Sequence, residues 1–244
     1  MKIEVLTLFP NMFDGVMSES MMWKARDRGL LDFSARDIRD YSGDKHRKVD
    51  DSPYGGGGGM ILKADVLLRA IEALEPEADT PVILLSPQGR LLTHEAAAEL
   101  SRRERLILVC GHYEGVDERV RELAISDEIS IGDYVLTGGE LAAMVLIDAV
   151  VRLIPGVLGA EGAQQRDSHA DGLLEGPHYT RPPEVRGLTV PEVLTSGHHA
   201  EVERWRRQQA LKRTWLRRPE LLERAELSEA DREYLAQLAA GAAD

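Results

Sequence analysis

Several glycine-rich stretches of this chain have the composition of ligand-binding loops. The first, residues 54–60, reads YGGGGGM and follows the polar run DKHRKVDDSP. It lacks the Lys-Ser/Thr of a Walker A loop and the spacing of a dinucleotide fingerprint. Its five consecutive glycines give up side chains and leave N–H and C=O groups bare. Such a loop lies flat against a base or ribose, at an entropic cost. A flexible hinge is the alternative, but the neighbours His46, Arg47, Asp50 and Asp51 favour binding. Three more loops, LLSPQGR (84–90), CGHYEGVDER (110–119) and SIGDYVLTGGE (130–140), follow strand ends. Ligands of open α/β sheets bind outside the carboxyl ends of strands. Each loop alone reads as an ordinary strand-to-helix turn; the three together predict one shared pocket.

A second kind of chemistry is written in charge. Residues 204–218 hold seven Arg/Lys (Arg204, Arg206, Arg207, Lys212, Arg213, Arg217, Arg218), two tryptophans (Trp205, Trp215) and no acid. The chain as a whole has a formal net charge of −12, which does not advertise nucleic-acid binding. A local basic surface on an acidic protein holds RNA while the rest discourages non-specific association. A solvated helix face with aromatics packed beneath it explains the same residues, and composition does not separate the two. The single cysteine, Cys110, excludes an intrachain disulfide and any Cys-x-x-Cys site. It sits in the apolar run LILVC and reads as a small buried hydrophobe. No apolar run approaches the roughly 20 residues of a membrane helix. The opening MKIEVLTLFP reads as a strand already in use, without a signal peptide's apolar core and cleavage site. The expectation is a reduced, cytoplasmic protein that does not enter membranes.

The elements that must position these residues alternate over the first 155 positions. Residues 3–8, 31–35, 82–85 and 106–110 are short, apolar and bounded by polar or Gly/Pro signals, so they read as strands. Residues 63–74 place Val66, Leu67, Ala70, Ile71 and Leu74 on one helical face. Residues 95–103 and 117–123 behave similarly, with Asp117 as N-cap. Residues 140–153 form the most apolar helix, hence the most buried. This alternation predicts an α/β class with a mostly parallel sheet over residues 1–160. The pattern then dissolves into GAEGAQQRDSHADGLLEG, a flexible linker over 161–175. Residues 176–244 form a small helical C-terminal domain, interrupted near Pro219 and closed by a helix that Ser228 caps.

The blocks DKHRKVDDSPYGGGGGM, LSPQGR, LILVCGHYEGVDERV, SIGDYVLTGGE, IPGVLG, DGLLEGPHYTRP and RTWLRRPELL resemble, in family order and over nearly the whole chain, the bacterial tRNA (guanine-37-N1) methyltransferases of the TrmD family. The resemblance implies a SPOUT-type α/β domain with a deep trefoil knot, although connections are as a rule unknotted. It implies a homodimer that binds S-adenosylmethionine in the knot and takes tRNA with guanine at position 37. The matching cofactor positions are Leu85, Ser86 and Pro87; Gly111, Tyr113 and Glu114; and Ile131, Gly132, Asp133, Tyr134, Val135, Leu136, Gly138 and Gly139. Substrate contacts fall on His46, Asp50 and the loop Gly55, Gly56, Gly57, Gly58 and Gly59. The family's use of Mg²⁺ leaves its ligands open: Glu114 and Asp167 are the candidates near the chemistry, or the ion serves the RNA.

The same resemblance makes Asp167 the general base and Arg152 its partner. Without it, Asp167 is a linker acid and Arg152 a cation favoured at a helix C-terminus. Guanine's N1 carries a proton and is a poor nucleophile until a carboxylate accepts it, a step worth about 10²–10⁴-fold in rate. Negative charge then grows on the adjacent carbonyl oxygen, where a guanidinium stabilises it. In the family dimer, Asp167 completes the pocket of the other subunit, and the linker orders over it when tRNA and cofactor bind. Ala142, Gly58 and His112 depart from the commoner family residues without removing a catalytic group. A ribose 2′-hydroxyl methyltransferase and a non-catalytic RNA-binding protein are the rival readings. The lack of a strand-following G-x-G-x-x-G speaks against a nicotinamide enzyme.

Overall fold

The computed structural model describes residues 1–159, 164 and 167–241. The chain forms two compact units, Met1–Gly159 and Ala160–Asp244. In the first unit the strands are β1 (Lys2–Thr7), β2 (Asp32–Asp37), β3 (Asp50–Asp51), β4 (Ile61–Leu62), β5 (Val82–Leu91), β6 (Arg105–Cys110) and β7 (Asp127–Ser130). Its helices are α1 (Asp14–Met17), α2 (Ser20–Asp27), α3 (Ala64–Glu72), α4 (His94–Leu100), α5 (Glu118–Ala124) and α6 (Glu140–Val151). β1, β2, β5, β6 and β7 form one sheet in the order β2-β1-β6-β5-β7, with every pairing parallel.

Side chains of a strand alternate between the two faces of its sheet, and the core divides accordingly. Ile3, Val5, Ile83, Leu85, Leu106 and Leu108 pack with Ala143, Leu146, Ile147 and Val150 of α6. Leu6, Leu84, Ile107 and Val109 pack with Val66, Leu67, Ala70 and Ile71 of α3 and Val120 of α5. The expected helical stripe is therefore the face that α3 lays on the sheet. Asp117 caps α5 as expected, accepting from the Arg119 amide at 3.0 Å. Thr93 caps α4 through the Ala96 amide.

Two strands of the five-stranded sheet differ from expectation. β7, DEIS, was hidden because two acids interrupt its apolar character, although its Ile129 is fully buried. β5 runs beyond Leu85 to Leu91, with a break in register: Leu85 and Arg90 both face Ile129 of β7. Residues 86–89 are thus a bulge pushed out of a strand, not the loop after one.

The second unit holds α7 (His199–Arg217), α8 (Glu229–Gly241) and the hairpin of β8 (Glu184–Val185) with β9 (Leu188–Thr189). Pro219 ends α7 and opens a 3-10 turn. Ser228 caps α8 reciprocally: its hydroxyl accepts from the Asp231 amide (3.2 Å), and Asp231 accepts from the Ser228 amide (3.0 Å). Of the stretch 161–175, residues 161–163, 165 and 166 lie outside the described residues. Among the described residues no helix is long and apolar enough to cross a membrane.

One buried charge ties the sheet together at its amino end. The Glu4 carboxylate is fully buried and meets Lys2 (3.1 Å), Arg36 (3.0 Å) and Arg105 (2.6 Å). Burial alone raises its pKa, but bonds from Arg105 and Lys2 outweigh it and hold the value below the ordinary 4.5. A carboxyl whose folded pKa is depressed stabilises the fold above its unfolded pKa and loses that contribution as pH falls through the folded value. Glu4→Gln is expected to cost about 2 kcal/mol in urea unfolding at pH 7. The gap to the parent protein should shrink below pH 4.5; a gap unchanged in acid contradicts the assignment.

Candidate functional site

The bulge of β5 and the carboxyl ends of β6 and β7 open into one cavity. Leu85 and the bulge residues Ser86 and Pro87 line it, with Gly111, Tyr113 and Glu114 after β6. Ile131, Gly132, Tyr134, Val135, Leu136, Gly138 and Gly139 after β7 complete that wall; Asp133 is not in the lining. The three loops therefore do share a pocket. What joins them is a close crossing of backbones. The Gly139 amide donates to the Gly111 carbonyl at 2.8 Å, and His112 and Gly138 form an isolated antiparallel bridge. A Cβ on Gly139 would sit 2.8 Å from the Cys110 Cα, so this position admits no side chain. Gly139 is also the residue from which α6 starts.

Beneath the crossing lies a buried polar cluster that sequence reasoning missed. Glu140, nearly fully buried in the first turn of α6, accepts a hydrogen bond from the Thr7 hydroxyl at 2.7 Å. Its other oxygen stands 4.0 Å from His112 Nδ1, too long for a hydrogen bond. That buried nitrogen has no hydrogen-bond partner among the described residues. The imidazole packs against the rings of Phe9 and Tyr113, each at 5.1 Å. The available signal was an acid opening the most apolar helix. Cys110, also expected to be buried, is so; burial first, then the Glu140 charge, pushes its thiol pKa well up. It is no nucleophile.

The glycine loop is stitched to the cavity's rim. The Glu114 amide donates to Met60 O (3.0 Å), Leu62 N to Gly115 O (3.0 Å) and Asp117 N to Leu62 O (3.1 Å). Gly59 has a φ of +83°, a conformation that favours glycine. A Cβ there would lie 2.3 Å from Glu114 Cγ. The last glycine is thus shaped by a cavity residue. Gly55, Gly56, Gly57 and Gly58 are exposed, as is His46, while Asp50 is half-buried and pairs with Leu62 in the β3–β4 ladder. None of these lines the cavity.

Arg152 follows the last turn of α6, its amide bonded to Asp148 O at 3.2 Å. Asp167 lies in the second unit, at the start of a turn closed by Ala170 N on Asp167 O (3.1 Å). The basic stretch of α7 divides in two. Arg206 pairs with Glu203, Arg207 with Asp171 and Asp231, and Arg218 with Glu220. Arg213 donates to the carbonyls of Glu175 and Gly176. Arg204, Lys212 and Arg217 have no such partner among the described residues. Trp205 meets Tyr179 at 6.3 Å, tilted by 52°. Among the described residues no group of three or more His, Cys, Asp or Glu is placed to hold a metal ion.

The family model for tRNA (Guanine-1)-methyltransferase TrmD matches residues 1–224. A tRNA (guanine-N(1)-)-methyltransferase of Geobacter sulfurreducens is 59% identical over 239 residues, 98% of each chain. A protein of that name from Dehalococcoides mccartyi is 57% identical over 242 residues, again 98% of each. Another from Moorella thermoacetica is 57% identical over 241 residues, covering 98% of this chain and 96% of its own.

Because a Cβ at position 139 meets backbone rather than a yielding side chain, Gly139→Ala should lower stability by about 1–3 kcal/mol. Urea unfolding checks this, and an unchanged midpoint contradicts the close crossing.

Proposed function

The chain belongs to the TrmD family of tRNA (guanine-1)-methyltransferases, and on that footing we propose that it methylates ring nitrogen 1 of guanine 37 in tRNA, using S-adenosylmethionine held in the three-loop cavity. The observation that carries this reading is the cavity itself: a bulge of β5 and the loops after β6 and β7, walled by backbone and by apolar side chains such as Leu85, Ile131 and Leu136. Backbone N–H and C=O groups suit an adenine edge, and the apolar side chains suit its faces. The residues present therefore fit the nucleoside. S-adenosylmethionine supplies an electrophilic methyl group on a positively charged sulfur. The crossing of residues 138–139 over the end of β6 supports the trefoil threading expected of the family.

In this reading Asp167 accepts the N1 proton of guanine, and Arg152 donates to the carbonyl oxygen on which negative charge develops. The glycine loop, anchored through Met60 and Leu62 to the rim, presents its backbone to the target base, with His46 and Asp50 beside it. Arg204, Lys212 and Arg217 give the C-terminal unit phosphate contacts, and Trp205 and Tyr179 give it stacking surface. A tRNA substrate places the reaction in the cytoplasm. No step is assigned to Mg²⁺: among the described residues no group of three or more His, Cys, Asp or Glu is placed to hold a metal ion.

A homodimer completes the proposal. Leu141 and Val145 of α6 are 52% and 47% exposed on a helix whose opposite face is core. A second copy of this chain covers them, and Asp167 serves the partner's pocket.

Asp167→Asn should lower single-turnover methyl transfer by about 10²–10⁴-fold while calorimetry shows unchanged S-adenosylmethionine binding. A rate near that of the parent removes Asp167 as the base. Mixed dimers of Asp167→Asn chains with chains whose pocket is blocked should recover activity. No recovery means that the subunits do not share a site.

A further inference from the structure

Residues 167–176 form a series of turns fastened to α7. His169 N donates to Leu173 O (2.7 Å), Gly172 N to His169 O (3.3 Å), and Glu175 N to the Ser168 hydroxyl (3.1 Å). Leu173 is 1% exposed, and Leu174 N donates to the buried Thr214 hydroxyl at 2.9 Å. At the apex Asp171 accepts from Leu173 N through one oxygen (3.2 Å). Its other oxygen accepts from Arg207 Nη1 at 2.6 Å.

Arg207 reaches two ways from α7. Besides Asp171, it holds Asp231 of α8 through Nε (3.2 Å) and Nη2 (3.0 Å), and Nη2 also donates to the Glu226 carbonyl (3.2 Å). All three guanidinium nitrogens are thus engaged inside the protein. Asp231 is in turn the carboxylate of the α8 capping box. Burial alone lowers the Arg207 pKa, but its bonds to Asp231 and Asp171 outweigh it and raise the value.

We propose that Arg207, although it lies in the basic stretch, is a positioning residue for methyl transfer: by clasping Asp171 to Asp231 it fixes the turn that carries Asp167, and it does not contact tRNA phosphate. The proposal rests on the reading of Asp167 as the base. A planar five-donor fork is what the position requires, because it bridges carboxylates on two sides at once. An ammonium is a single compact charge and bridges them poorly, although it serves phosphate well. A small misplacement of a reacting group costs rate without a matching loss of binding.

The two roles separate in the full-length protein by comparing Arg207→Lys, Arg207→Gln and Asp171→Asn. Methyl-transfer kcat, tRNA affinity as a function of salt, and amide exchange over residues 169–175 are measured for each. The clasp predicts that Arg207→Lys and Asp171→Asn lower kcat by about tenfold or more and speed exchange in the turn. The salt slope of tRNA binding stays at the parent value in all three. A phosphate contact predicts the reverse: near-parental kcat for Arg207→Lys, and for Arg207→Gln a salt slope shallower by about one. That outcome overturns the proposal, as does parental kcat in a folded Asp171→Asn. Should Arg207→Lys fail to fold, Asp171→Asn decides, since it leaves the Arg207–Asp231 half intact. Asp167→Asn, assayed alongside, separates the two claims. If it stays active the base reading fails, while faster exchange in Arg207→Lys still reports the clasp.

Discussion

Where the segment after β7 crosses the end of β6, two backbones come close enough for the Gly139 amide to reach the Gly111 carbonyl, and no side chain fits between them. The cavity, the start of α6 and the burial of Glu140 all follow from that contact. Because Gly139 is the residue from which α6 begins, the helix is aimed by the crossing, and its apolar face then fills one side of the sheet. Because Glu140 comes next, its carboxylate is carried beneath the loops, where Thr7 of β1 satisfies one oxygen. A shift at the crossing would therefore disturb the pocket and the core together.

The glycine loop depends on the same region from the other side. Backbone bonds from Met60 and Leu62 to residues 114–117 make the loop an extension of the cavity's rim, and Gly59 accepts the Glu114 side chain against its bare Cα. The parts proposed to meet cofactor and target base are thus mechanically continuous within one unit. In the other unit the basic helix splits its charges between internal fasteners and cations that have no such partner among the described residues. The composition alone allowed either an RNA-binding face or a solvated one; the residue-by-residue pairing shows some of the cations committed to the fold.

Much of the fold was legible because it rests on local periodicity. The alternation of apolar strands with the 66–67–70–71 stripe specified a parallel sheet with helices on it, and Asp117, Pro219 and Ser228 marked ends by cap and ring chemistry. β7 was not legible, because a strand with one fully buried residue and two acids carries no apolar run. The bulge of β5 was not legible either, since Ser-Pro-Gln-Gly reads as a loop whether or not the strand resumes beyond it. For the site, the three glycine loops and their shared pocket were legible, because ligands of open α/β sheets bind at strand ends; the close crossing of backbones that joins them was not. The roles of Asp167 and Arg152 came from family resemblance alone: one residue sits in a turn and the other follows a helix, and neither position advertises chemistry. The Thr7–Glu140 bond spans 133 positions, and no spacing rule reaches that far.

In the proposed reaction a backbone-lined pocket and a guanine-directed base together methylate one ring nitrogen. Transfer of labelled methyl from S-adenosylmethionine to two tRNA transcripts tests it most directly. One transcript carries guanine at positions 36 and 37, and the other has adenine at 37. Label on the first transcript alone, recovered as 1-methylguanosine, is the expected result. Label on both, or label recovered on a ribose, would contradict it.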